Sequence, residues 1–352
     1  MKKEKLLHST KIQQMIAQYK HDMQLVDQLT TDAEPHYEIE QELYKKYEVK
    51  RGLRDLDGKG VRAGLTTISK VSATQIIDGR EVPAAGQLLY RGIPIEQLVQ
   101  GFITHDRFGF EEIVYLLLMG HLPKADQLAQ FKGLLTDYQE LPNHFNSGVI
   151  MKMPSDNIMN TMAKCVLALH AYDPKPDDTS LPNVMRQCVQ LVSQFPSLAV
   201  FGYQASMYFR NDRSMFIQKP DPKLSIAENI LYMMRPDGKY TRLEAKLLDL
   251  CLVLHAEHGG GNNSAFTVHV VSSSGTDTYS TVAAALGSLK GPKHGGANIK
   301  VMEMFEDLKQ HCPDWEDEDA LREYLKGLLR GEGFDRSEEH TSELQSLLYI
   351  SY

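Results

Sequence analysis

From Ile95 onward, apolar residues recur at intervals of three and four in one segment after another: FEEIVYLLLMG, NVMRQCVQLVSQF, SIAENILYMM, RLEAKLLDLCLVLHAEH, YSTVAAALGSL and ANIKVMEMFEDL. That period lines one side of a helix, whereas a half-buried strand alternates, so the bulk of the chain is predicted to be α-helical. Several of these segments are apolar on more than one face, which places them inside a multilayered bundle or at a subunit interface; a homodimer is the expectation. Loops are expected where Pro, Asp and Asn cluster, from Tyr172 to Pro182 and from Arg210 to Ser225.

The remainder reads differently. From Lys11 to about Val49 the residues are polar with apolar ones at helical intervals, broken at Glu34-Pro35, which predicts two peripheral helices in an N-terminal extension, residues 1–50. Between Gly52 and Pro94 the texture becomes Gly-rich and β-branched, with turn dipeptides at Asp57-Gly58 and Asp78-Gly79, so a small β patch is predicted near residues 52–94. Residues 51–335 then form the main helical region.

With 42% hydrophobic and 24% charged residues, the 352-residue chain is neither disordered nor a rod. Against 46 Asp and Glu stand 38 Lys and Arg, a net charge of -8. That is the wrong sign for neutralising phosphates, so nucleic acid and anionic membranes are not expected partners. Cys165, Cys188, Cys251 and Cys312 form no CxxC pair, which argues against a zinc knuckle or disulfide framework and for a reducing cytoplasm. The start of the chain lacks both the apolar core of a signal peptide and the Arg-rich, acid-poor make-up of a transit peptide. The longest apolar stretches, such as Ile113 to Met119 and Leu247 to Leu254, fall short of the roughly 18 residues that span a bilayer.

Two clusters carry chemistry. In LHAEHGGGNNSAFT, His255 and His258 stand three apart, on one face if the helix persists, with Glu257 between them and a glycine run that ends the helix. Successive glycines bring backbone N–H groups within reach of an anion, which suits a carboxylate substrate. The order His-Ala-Glu-His is not a zinc-hydrolase spacing, so no metal is assigned there. In LKGPKHGGANIKVMEMF, His294 lies just before a helix start. The positive end of a helix dipole favours a neutral imidazole, the state that can donate a hydrogen bond to a developing oxyanion.

HAEHGGGNNSAFT and GSLKGPKHGGAN, preceded by LLYRGIPIEQL and FEEIVYLLLMGHLP, resemble the citrate synthase family over roughly Gly52 to Asp335. The resemblance implies a mainly α-helical homodimer with a large and a small domain. The implied activity is acyl transfer: condensation of acetyl-CoA, or propionyl-CoA in a 2-methylcitrate synthase, with oxaloacetate, and release of CoA. No tightly bound cofactor is implied, since the coenzyme A thioester is a substrate. By the same resemblance, His258 and Asn262 bind oxaloacetate, and His294 is the catalytic residue that stabilises the enol of the thioester.

The family continues with a GxGHxVY segment holding a carbonyl-polarising histidine, a DPR segment, and an NVDxxSG segment holding the base; none occurs here. After Asp335 the chain reads RSEEHTSELQSLLYISY, whose first part resembles a translated sequencing-adapter oligonucleotide, so residues 336–352 are read as a non-native tail. The expectation is a citrate-synthase-like large domain with the small domain largely missing, binding oxaloacetate weakly and catalytically inactive as written. The competing expectation is a non-catalytic helical protein of this fold that acts by association.

Overall fold

The computed structural model describes residues 66–292, 294–312 and 314–329, and from the N-terminal region residues 17, 18, 20, 23, 24, 26–31, 40–48, 50 and 53. The Glu34-Pro35 breaker, the Asp57-Gly58 turn and the tail at 336–352 lie outside the described residues. The chain divides into two compact units, Met1–Val61 and Arg62–Tyr352. The first is helical over 26–31 and in α1 (Gln41–Lys46).

The second unit opens with an antiparallel sheet, β1 (Ser69–Ile77), β2 (Arg80–Tyr90) and the short β3 (Ile93–Pro94), in that spatial order. Asp78 and Gly79 take φ of 52° and 76° between partners Ile77 and Arg80, a two-residue turn whose twist matches that of the strands. The helices follow: α2 (Ile95–Thr104), α3 (Phe110–Met119), α4 (Ala125–Tyr138), α5 (Ile158–Leu169), α6 (Leu181–Asn211), α7 (Ile226–Met234), α8 (Arg242–His255), α9 (Asn263–Ser272), α10 (Thr278–Leu289), α11 (Ala297–His311) and α12 (Glu318–Leu329). The mainly α architecture and the β patch agree with the sequence reading, the observed strands occupying 69–94.

The helices bury their apolar stripes in three clusters. The largest joins Cys165, Val166 and Leu169 of α5, Leu198 and Phe201 of α6, Met233 of α7, and Tyr279 and Leu286 of α10. A second roots the hairpin: Tyr90 at the end of β2 packs with Leu98 and Phe102 of α2, Ile113 and Leu116 of α3 and Val253 of α8. The third seats Phe131 and Leu135 of α4 on Val114 and Val189.

Helix α6 runs unbroken through Pro196, past the Phe195 at which the sequence pattern stops. A proline removes one backbone hydrogen bond and crowds the preceding turn. Buried residues on both sides, Leu191 and Ser193 before it and Leu198 and Phe201 after it, hold the helix together.

One buried carboxylate ties α5, α6 and α10. Asp173 follows the 3-10 turn His170–Tyr172 and accepts from Arg186 Nη2 at 2.7 and 2.8 Å, Tyr279 Oη at 2.6 Å, Gln187 Nε2 at 3.2 Å and the Lys175 N–H at 2.7 Å. All four cysteines are free thiols. Among the described residues, no helix is long and apolar enough to cross a membrane.

Candidate active site

Helix α8 ends at His255, whose Nδ1 lies 2.7 Å from the Cys251 carbonyl. His258 therefore stands beyond the helix, and the two histidines do not share a helical face as the spacing suggested. Glu257 explains the break, because its groups are used elsewhere. Its N–H donates to Tyr90 Oη at 3.2 Å, and its Oε1 accepts from Ser69 Oγ at 3.0 Å and from the Gly259 N–H at 2.6 Å.

The first amide of the glycine run thus already holds an anion, the chain's own carboxylate. Gly259 has a φ of 103°, a left-handed conformation that disfavours any side chain, and a Cβ there would stand 3.5 Å from Val71 of β1. The run consequently lies against the hairpin. Tyr90, fully buried, reaches the Val253 carbonyl at 2.9 Å and that of Leu254 at 3.3 Å, and burial pushes its phenol up to about 12. Tyr90→Phe leaves the Glu257 N–H without its acceptor and is expected to cost about 1–3 kcal/mol in chemical denaturation at unchanged m-value. A wild-type midpoint would show that the hydroxyl anchors nothing.

Beyond the glycines, Asn262 caps α9. Its Oδ1 accepts from the Ala265 N–H and from Ser264 Oγ, both at 2.7 Å, and its Nδ2 donates to the Gly259 carbonyl at 2.9 Å. The side chain thereby closes the turn 259–262 and satisfies one of the orphan N–H groups that every helix start exposes. The next orphan donor finds a different partner: the Ser264 N–H donates to His294 Nε2 at 3.3 Å, with Ser264 Oγ 3.1 Å from the same nitrogen.

His294 therefore sits at the N-terminus of α9 as well as three residues before the start of α11. A backbone N–H aimed at Nε2 requires a lone pair there, so the ring is neutral with its proton on Nδ1. Imidazolium would set an N–H against an N–H at the positive end of a helix dipole. The loop carrying His294 is tight: the His294 and Gly295 N–H groups both donate to the Gly291 carbonyl, at 3.0 and 2.9 Å, and a Cβ on Gly295 would overlap the Leu289 carbonyl oxygen.

The three residues singled out from the sequence thus divide. Asn262 and His294 meet through Ser264, whereas the exposed His258 ring makes no hydrogen bond with the described residues. Chemically, the arrangement offers an exposed histidine that a ligand can reach and, at the N-terminus of α9, a neutral imidazole. Ser264, Ser69 and Tyr90 escaped the sequence reading. Ser264 was within reach, because Asn-Asn-Ser before an apolar run is a helix-start signal whose amides need acceptors.

A family model described as citrate synthase, C-terminal domain, matches residues 53–336. The citrate synthase of Acidithiobacillus ferridurans is 36% identical over 260 residues, which is 71% of this chain and 60% of that protein. The 2-methylcitrate synthase 1 of Corynebacterium glutamicum is 32% identical over 275 residues, 76% of this chain and 65% of that one. Among solved structures, the citrate synthase of Pyrobaculum aerophilum superposes with a TM-score of 0.59 at 28% identity, covering 75% of this chain and 63% of its own. That of Thermoplasma acidophilum, in a ternary complex with carboxymethyl coenzyme A and oxaloacetate, shares the fold with a TM-score of 0.59 at 23% identity, over 76% of this chain and 61% of its own. The chain spans a little under two thirds of the length of the relatives it matches. On the match over residues 53–336, the chain belongs to the citrate synthase family.

Proposed function

We propose that this chain carries the oxaloacetate loop and the enol-stabilising histidine of a citrate or 2-methylcitrate synthase. The reaction joins the α-carbon of an acyl-CoA thioester to the ketone of oxaloacetate and then hydrolyses the thioester, releasing CoA. The observation that carries this reading is the Ser264 N–H on His294 Nε2, which leaves the ring proton on Nδ1. There it donates to the thioester oxygen as charge gathers on it, in the neutral state that such a donor needs. His258 takes oxaloacetate, and Asn262, by closing the turn from Gly259, sets the backbone beside it.

The ternary complex of the Thermoplasma acidophilum citrate synthase supports this pairing of substrates. Relatives named for citrate and for 2-methylcitrate both support the reaction class. Acetyl-CoA is the proposed acyl donor; propionyl-CoA differs by one methylene, worth about 1–3 kcal/mol in a pocket. No tightly bound cofactor is required. A homodimer in the cytoplasm completes the reading, supported by Leu167 of α5 and Val270 of α9, each about half exposed.

Glu257, the carboxylate of the cluster, is engaged by Ser69 and Gly259, and the 352 residues include no NVDxxSG segment to supply a base. These residues alone are therefore proposed to bind without turning over. Incubated with oxaloacetate and either acetyl-CoA or propionyl-CoA, the purified chain is expected to release no thiol above the enzyme-free rate. Release that His294→Ala abolishes would overturn the inactivity; release that survives the substitution would overturn the role given to His294.

A further inference from the structure

Beyond the C-terminal end of α9, away from the end where His294 contacts Ser264, three donor side chains from separate segments converge. His170 opens the 3-10 turn after α5, Asp177 lies on the loop before α6, and Asp277 caps α10. His170 Nε2 stands 3.0 Å from Asp177 Oδ1, and one ligand atom from each of the three falls within 4.8 Å of the others.

Asp277 is the telling member. Its carboxylate is 7% exposed and accepts from the Ser280 N–H at 2.8 Å and Thr276 Oγ1 at 3.3 Å, yet among the described residues no Lys or Arg pairs with it. The neighbouring Asp173, equally withdrawn from water, has Arg186. Asp177 likewise meets no Lys or Arg among the described residues, its ionic neighbour being His170. The N-terminus of α10 meets part of the Asp277 charge, and two carboxylates facing one imidazole still leave net negative charge that a cation would offset.

We propose that His170, Asp177 and Asp277 bind a divalent first-row cation of the zinc and manganese class. The imidazole nitrogen selects such ions over calcium or magnesium, which prefer all-oxygen sites. Donors at about 2.1 Å from a metal stand about 3.0 Å apart in an octahedral site and about 3.4 Å apart in a tetrahedral one, and His170 and Asp177 stand 3.0 Å apart. Asp177, largely exposed, supplies the movement that closes the third contact. The ring of Tyr279, edge-on to His170 with centroids 6.2 Å apart, walls one side. The bound ion would clamp the loop before α6 to the start of α10, with no residue shared with the cluster around His294.

The test uses the full chain after chelator treatment, titrated calorimetrically with zinc and with manganese, and with cobalt for its visible absorption. One equivalent per chain and a rise in Tm are expected. His170→Ala and Asp177→Asn, both outside the core and expected to keep the metal-free Tm, should each weaken binding at least about tenfold. Asp277→Asn, which keeps the helix cap, should do the same. Absence of binding would overturn the proposal. So would binding that these variants leave unchanged, which would place the ion on other histidines such as His255 and His258.

Discussion

Asp173→Ala is expected to lower the stability of the helical unit by about 3–5 kcal/mol, the usual consequence of removing one partner from a buried ion pair. The substitution strips Arg186, Tyr279 and Gln187 of a shared acceptor whose side chain is 0% exposed, and these residues come from two helices that the main core must hold in register. The pH dependence follows. Burial pushes the Asp173 carboxyl up, but the hydrogen bonds from Tyr279, Arg186, Lys175 and Gln187 outweigh it and hold the group at about 2. A carboxylate depressed in the folded state stabilises above its unfolded pKa, near 3.9, and loses that contribution as the pH falls through the folded value. The loss amounts to about 2 kcal/mol between roughly pH 5 and pH 2. Urea unfolding of the wild type should show that acid limb, and Asp173→Asn should flatten it. An unchanged midpoint in Asp173→Ala would mean that the three helices are held by apolar packing alone.

The second large effect is expected at Gly295. An alanine Cβ would overlap the Leu289 carbonyl oxygen, a backbone atom that cannot rotate away, so the loop 290–296 must move. Overpacking of this kind costs about 1–3 kcal/mol. Its more specific mark is the loss of the Ser264 to His294 hydrogen bond and of the bias it imposes on the ring. Nitrogen NMR of the histidine side chains should find His294 protonated on Nδ1 in the wild type and a mixture of tautomers in Gly295→Ala. A variant with wild-type stability and an unmoved His294 signal would contradict the packing described for this loop.

The parts of this molecule that were legible in its sequence are those set by local rules. The three-and-four spacing located α3, α7, α8, α10 and α11, and Asp78-Gly79 marked the hairpin turn, because each depends on residues a few positions apart. The glycine run and His294 stood out for the same reason. What could not be read depends on partners distant in the chain. Glu257 takes the Gly259 amide while held by Ser69, 188 residues away, and Tyr90 pins the end of α8 across 163 residues. The run that looked like an open anion cradle is therefore partly filled by its own neighbour. Pro196 inside α6 is another instance, since only tertiary burial on both sides of it keeps the helix whole.

In the proposed function, residues 258–264 and His294 form one ligand site at the N-terminus of α9. Calorimetric titration of oxaloacetate into the purified chain, with His258→Ala alongside, tests it most directly. Saturable binding of about millimolar affinity, roughly −4 kcal/mol, is expected, and His258→Ala should abolish it while keeping the wild-type Tm. Absence of binding by the wild type, or binding that the variant retains, would contradict it.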